Sequence, residues 1–443
     1  MKFIRALYFS DRFFTLAASI AALFIVSFFI EILFPFAKIT FLLLIGATLA
    51  DIAILFSSRQ GIKAIRHCPE RLSNGDENQI HISLQSFFRI PVTAAVIDEI
   101  PHQFQVRDLN FVISLPAGDT QQINYSLRPV KRGEYDFGGI NLLVSSILGL
   151  ATRRIIAPEN KLVPVYPSFL QMRKYELLAI SNNLTNTGIK RIRRIGQNLE
   201  FEQIKKYTAG DDIRSINWKA TARKADLMVN NFQDERSQQV YSLIDKGRVM
   251  KMPFNGMSLL DYAINASLVI SNIAIKKSDK AGLITFQDKI GTLLSASRIN
   301  KQMSNIMDIL YNQKTAYRES DFSVLYATIR RRITQRSLLL LFTNFETNYS
   351  LQRQLPYLKN LAHQHLLVVI FFENTEMKTL IEKRSTDLES IYYKAVAEKF
   401  SYEKKLIVKE LRKNGIQALL TTPEKLTVNT INKYLELKAR NLI

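Results

Sequence analysis

The sequence predicts a multidomain chain made of a two-helix transmembrane hairpin, an antiparallel β-sandwich and a doubly wound, Rossmann-like α/β domain. Three observations lead there: two apolar stretches of about 20 residues open the chain, period-two alternation follows, and continuous apolar runs then alternate with segments of helical period. The predicted divisions are a hairpin at 1–60, a sandwich at 71–167, a connecting segment at 168–236 and an α/β domain at 237–443.

The hairpin comes first. Spans are expected at about 13–34 and 36–56, with Pro35 breaking the helical ladder between them and a connection short enough to force an antiparallel return. The first stretch is too long for a signal-peptide core and is followed at once by a second. Lys2, Arg5 and Arg12 precede the first span and Arg59, Lys63, Arg66 and Arg71 follow the second, so both termini are expected on the cytoplasmic side. Glu31 lies near the loop and Asp51 about one and a half turns from the cytoplasmic end; each is read as structurally tolerated, reaching headgroups or a hydroxyl such as Ser19.

The sandwich is read from alternating runs at Gln79–Gln85, Val92–Asp98, Gln122–Arg128 and Gly139–Ser145, separated by turn residues such as Asn74-Gly-Asp. His81 and His102 lie in it without a second ligand at metal spacing. In the last domain the apolar strands are expected at 240–244, 281–286, 337–342, 366–372 and 417–420, with helices such as 259–275, 320–333 and 426–439 between and after them. Sheets of this kind bind ligands at the carboxyl ends of their strands, which singles out Asp245 and the Thr343-Asn344 pair.

Charge and motifs narrow the function. Sixty Lys and Arg against 39 Asp and Glu give +21, which favours anionic partners, and a single cysteine, Cys68, excludes an intramolecular disulfide. The chain has no G-x-x-x-x-G-K-[S/T] loop, G-x-S-x-G elbow, H-E-x-x-H or C-x-x-C, so an enzyme is not expected. His363 and His365 alternate without a third ligand, and the basic clusters Lys190–Arg194 and Arg330–Arg332 read as solvated faces before lipid contacts, with nucleic acid last.

The most distinctive segment lies between the sandwich and the α/β domain. It carries Glu200-Phe201, then Tyr207 with Gly210, Asp211, Asp212 and Arg214, then the only tryptophan, Trp218, and finally Arg223. Gly210 permits a tight turn before two carboxylates, and an arginine can hold a carboxylate through two bonds, so the set reads as an internal clamp, a partner-docking surface or, least of all, a catalytic site. This segment closely resembles the signature of the bacterial domain-of-unknown-function 58 (DUF58) family. Asn217 departs from it, standing where the family usually has Asp. The resemblance extends to Arg132-Gly-Glu-Tyr, Gly149-Leu and Val165-Tyr-Pro. It implies a C-terminal half like a von Willebrand factor type A domain, a place in the bacterial inner (cytoplasmic) membrane, and partners among MoxR-type AAA+ ATPases and other type A-domain membrane proteins.

Type A domains commonly bind Mg²⁺ or Mn²⁺ through a D-x-S-x-S loop with a later Thr and Asp. Here the loop reads Asp245, Lys246, Gly247, Arg248, Val249, and Asn344 follows Thr343 where an Asp belongs. One carboxylate remains beside two cations, so no metal or other cofactor is expected and Asp245 should pair with a neighbouring cation or cap the next helix. The function expected is a membrane-anchored, non-enzymatic scaffold with the lipid bilayer and proteins as partners. The alternatives are a metal-dependent adhesion module with ligands drawn from elsewhere, such as Asp321 or Glu346, or an envelope enzyme using Asp211 and Asp212.

Overall fold

The computed structural model describes residues 5–106, 109–180, 200–208, 213, 216–224, 226–233, 237–315, 317–382, 387–440 and 442. They form two compact units, Met1–Tyr166 and Pro167–Ile443.

The first unit begins with a short strand, β1 (Leu7–Phe9), and two apolar helices, α1 (Asp11–Phe29) and α2 (Leu33–Ser57). Both are long and apolar enough to cross a membrane. The helices break at Ile30–Ile32 rather than at Pro35, which occupies the first turn of α2. A proline there removes no helical bond, because first-turn N–H groups have no partner four residues back. Ten further strands follow: β2 (Ile62–His67), β3 (Leu72–Ser73), β4 (Asn78–Ser86), β5 (Val92–Asp98), β6 (Asn110–Leu115), β7 (Thr120–Leu127), β8 (Gly133–Phe137), β9 (Ile140–Ser145), β10 (Ala151–Ala157) and β11 (Lys161–Tyr166). They pair as β2-β4-β7, β1-β10-β9-β5-β6 and β3-β11-β8, antiparallel except for β3 with β11. The alternating residues Ile80, Ile82 and Leu84 of β4, Ala94 and Val96 of β5, and Leu142 and Val144 of β9 share one core, which also takes in Leu55 from the last turn of α2.

Asp51 corrects the reading made from sequence. It is fully buried, and its carboxylate reaches neither headgroups nor Ser19: it accepts the N–H groups of Leu150 and Ala151, each at 2.8 Å, and the Ser146 hydroxyl. Ser19 instead donates to the Thr15 carbonyl within its own helix. Nearby, Arg153 on β10 donates to the carbonyls of Leu55 and Ser58 at 2.7 Å, capping the end of α2 as a cation should. Ser10, the N-cap of α1, donates to the Gly149 carbonyl, while β1 pairs with β10 from Leu7↔Arg153 to Phe9↔Ala151.

The second unit opens with α3 (Phe169–Ile180), then β12 (Glu200–Lys206), α4 (Trp218–Lys224) and β13 (Met228–Gln233). The sheet proper runs through β14 (Gln239–Asp245), the small β15 (Pro253–Phe254) and β16 (Met257–Ser258) hairpin, α5 (Leu259–Lys276), β17 (Lys280–Phe286), β18 (Ile290–Ser297), α6 (Gln302–Tyr311), α7 (Phe322–Arg332), β19 (Leu338–Phe342), α8 (Asn348–Gln364), β20 (Leu366–Phe372), α9 (Thr375–Glu382), α10 (Leu388–Lys413), β21 (Gln417–Thr421) and α11 (Leu426–Ala439). Strand order is β18-β17-β14-β19-β20-β21, parallel apart from the β18 edge, so the sheet is mixed. Each face carries its own core: Ile244, Leu340 and Val368 pack with α5 and α11, while Leu243, Leu341 and Val369 pack with α7, α8 and α10. α5 is also apolar enough for a membrane, but 83% of its apolar window is buried in this unit.

Candidate functional site

Ile244 of β14 lies in register with Phe342 of β19, so the next residues, Asp245 and Thr343, emerge side by side at the carboxyl edge of the sheet. Asp245 is 1% exposed and takes three donors: the Gly247 N–H at 2.8 Å, the Thr343 hydroxyl at 2.7 Å and the Ser320 hydroxyl. Burial pushes its carboxyl pKa up, while these hydrogen bonds pull it back. Neither expected partner is used. Lys246 turns its ammonium against Gly291 of β18, where burial lowers its pKa, and Arg248 is exposed to solvent.

Ser320 could not be found from the sequence, because it lies 75 residues from Asp245 and belongs to no local motif. Its place depends on Gly247. A Cβ there would come within 2.1 Å of the Ser320 oxygen, so the glycine that reads as a lost hydroxyl makes room for one from another loop. That loop is held by the Asp321 N–H on the Gln287 carbonyl (2.9 Å) and by the Arg248 N–H on the Arg318 carbonyl (3.0 Å). Asp321 itself N-caps α7.

Two cavities adjoin this edge. One, of about 470 Å³, lies between Asp245, Ser320 and Thr343 on one side and Arg248, Glu346 and Arg353 on the other. The second, of about 230 Å³, is mainly apolar, with Met252, Phe254, Phe372, Met377 and Phe400 among its walls, and it shares Met252, Asn344 and Glu346 with the first. Lys404 enters it from α10 and donates to the Asn344 side-chain oxygen at 2.6 Å. Burial holds the Lys404 pKa down to about 8, opposed by the Glu346 charge. Asn344, in the position expected of a metal-binding Asp, is thus the acceptor for an ammonium. Its partner sits 60 residues away on another helix, so sequence spacing could not reveal it.

The donor set does not fit a resident divalent cation. Such an ion favours several oxygen ligands carrying negative charge; here one carboxylate already holds three donors, and Asn344 faces a lysine. Among the described residues no group of three His, Cys, Asp or Glu could hold a metal.

The signature segment is partly visible. Gly210, Asp211, Asp212 and Arg214 lie outside the described residues, as do the side chains of Glu200 and Phe201 and the Lys190–Arg194 cluster. β12 and β13 pair antiparallel, extended by the Tyr207 N–H on the Leu227 carbonyl at 2.7 Å. Asn217 N-caps α4, its side-chain oxygen accepting the Ala220 N–H at 3.0 Å while its amide donates to Asn230 at 2.8 Å. Trp218 is 70% exposed, and Arg223, further along α4, lines a cavity of about 300 Å³ with Lys219 and Lys224. Elsewhere, His81 pairs with Asn124 at 2.6 Å across β4 and β7, Arg330–Arg332 form the last turn of α7, and His365 is buried at the head of β20.

Residues 203–381 match the model of a protein family of unknown function, DUF58. The matched segment contains Asp245, Ser320, Thr343 and Asn344, whereas Lys404 falls beyond it. Over 126 residues the chain is 26% identical to the uncharacterized protein YeaD of Bacillus subtilis (strain 168), covering 28% of this chain and 31% of that protein. The chain therefore spans about a third of the length of that curated relative. Similar solved structures include the conserved hypothetical protein BatB from Bacteroides thetaiotaomicron (12% identity, 46% of this chain and 99% of that one, TM-score 0.31). Another is the CARDB domain of the PF1109 protein from Pyrococcus furiosus (15% identity, 24% and 86%, TM-score 0.18).

Proposed function

We propose that the chain is a non-enzymatic scaffold of the bacterial inner membrane. The hairpin crosses the bilayer with both termini cytoplasmic, and the carboxyl edge of a von Willebrand factor type A-like unit captures a protein partner without a bridging metal. A MoxR-type AAA+ ATPase is the first partner to seek, with other type A-domain membrane proteins after it.

The observation that carries this reading is the use already made of the edge: Asp245 accepts from Ser320, Thr343 and Gly247, and Asn344 from Lys404. What remains to meet a partner is the exposed cation Arg248 and the apolar cavity flanked by Lys404, while Arg353 beside them faces Glu319 at 3.7 Å. Cations beside an apolar cavity suit a partner segment that is acidic with an apolar side chain. The test is a crosslinking pull-down from native membranes. Capture should survive EDTA and should weaken about tenfold or more in Arg248→Glu, in keeping with about 1.4 kcal/mol per tenfold; loss of capture in EDTA overturns the reading.

One observation favours the metal-dependent alternative. Ser320 brings to Asp245 and Thr343 a hydroxyl from outside the loop. Calorimetric titration of the full chain with Mg²⁺ and Mn²⁺ separates the two, since heat at millimolar ion supports the alternative and its absence removes it.

A further inference from the structure

We propose that the N-terminal β unit is itself seated in the bilayer interface, with Ile147 and Leu148 at the boundary between headgroups and acyl chains and Tyr8, Phe9 and Phe87 at headgroup level. The inference rests on the reading that the hairpin spans the bilayer, and it adds a second lipid contact made by the folded unit.

The depth follows from where each helix stops being free. Asp51 and Leu55 are fully buried against the β unit while Ala53 is exposed on the opposite face, so the stretch of α2 clear of the β unit ends at about Ala50. The eighteen residues from Leu33 to Ala50 rise about 27 Å at 1.5 Å per residue, and the nineteen of α1 about 28 Å. Both match the ~30 Å hydrocarbon core. The boundary therefore falls at Ser10–Asp11 on one helix and Ala50–Asp51 on the other.

The same two points hold the 146–151 loop. Ser10 binds Gly149 and Asp51 binds Ser146, Leu150 and Ala151, which fixes the loop at the level of the boundary. The residues between those anchors point outward: Ile147 is 71% and Leu148 45% exposed. Gly149 closes the loop at φ +64°, beside the Arg12 guanidinium. Other exposed apolar side chains lie at this end of the unit. Tyr8 and Phe9 sit on β1 directly before α1, and Phe87 donates its N–H to the carbonyl of Gly61, just past α2, at 2.9 Å. Aromatic residues are favoured where bilayer meets water, and this rim is continuous with the two lipid-facing helices. A bilayer is thus the occupant that the position of the patch selects.

The test uses the full chain in phospholipid nanodiscs, with Cys68→Ser and an environment-sensitive fluorophore on Ile147→Cys. Controls carry the label on Glu77→Cys, at the far end of β4 about 30 Å from Ser86, and on Leu43→Cys within α2. Emission at 147 should shift to the blue and be quenched by a shallow spin-labelled lipid, while 77 remains water-like. If 43 is quenched by a deep spin label but 147 is water-like or shielded without lipid quenching, the proposal fails and the hairpin reading stands. If 43 is not quenched either, both fail together.

Discussion

Arg66 and Asp98 meet inside the N-terminal β unit as a two-point ion pair, with side chains only 2% and 0% exposed. The guanidinium also donates to the carbonyls of Glu159 and Gly138, each at 3.0 Å, and the Tyr125 hydroxyl donates to Asp98. Burial and the neighbouring carboxylate push the Tyr125 pKa far up, keeping it a donor at every ordinary pH.

Removing one member strands the other. Asp98→Ala should destabilise the β unit by about 3–5 kcal/mol, the cost of an unpaired buried charge, and Tyr125→Phe by about 1 kcal/mol. Amide exchange of the β2 and β5 peptides in the full chain reads both, and equal effects from the two substitutions would contradict the assignment.

Lys404 makes stability depend on alkaline pH. Between its folded pKa of about 8 and the ordinary 10.5, the unfolded chain binds a proton that the folded chain does not, so stability rises with pH across that window. Lys404→Met should remove this rise and stabilise the α/β unit at pH 7 by about 1–3 kcal/mol, allowing for partial solvent contact. An unaltered pH profile in the variant would show that the ammonium is well solvated.

His365 acts at the other end of the scale. Burial lowers its imidazole pKa below the ordinary 6.5, and neither ring nitrogen has a hydrogen-bond partner among the described residues. The unfolded chain takes up the proton first, so stability should fall as pH drops below 6.5. His365→Leu should flatten that fall and gain about 1–2 kcal/mol at pH 5. Exchange protection of β20 between pH 5 and 7.5 measures it, and parallel profiles for the two proteins would refute it.

Asn217 supplies a cap that an aspartate could also supply. Asn217→Ala should cost about 1 kcal/mol, while Asn217→Asp, which keeps the acceptor and loses only the bond to Asn230, should stay within about 0.5 kcal/mol. Protection of the α4 amides distinguishes them; a loss in Asp as large as in Ala would place the contribution in the Asn230 bond.

What the sequence revealed was what repeats locally. Hydropathy marked both N-terminal apolar helices, continuous apolar runs marked β14, β17, β19, β20 and β21, and α11 falls at 426–439 as its period indicates. Pro35 misled because the position of a proline within a turn decides whether it breaks a helix. β1 was missed because three residues carry no periodicity, and β18 because its pattern is that of a half-exposed edge. The side-chain donors to Asp245 and Asn344, and all the donors to Asp51, were out of reach for one reason: each of these hydrogen bonds joins residues 60 to 100 apart in the chain, whose meeting depends on the whole fold.

The pairing of β1 with β10 constrains the order of biosynthesis. Leu7–Phe9 leave the ribosome before either span, and Ala151–Arg153 only after both, so the edge of this sheet cannot close until the hairpin has been made. If the two helices cross a bilayer, insertion of only one of them would put these two segments on opposite sides of it. Completion of the β unit is then a built-in check that the two helices have inserted as a pair.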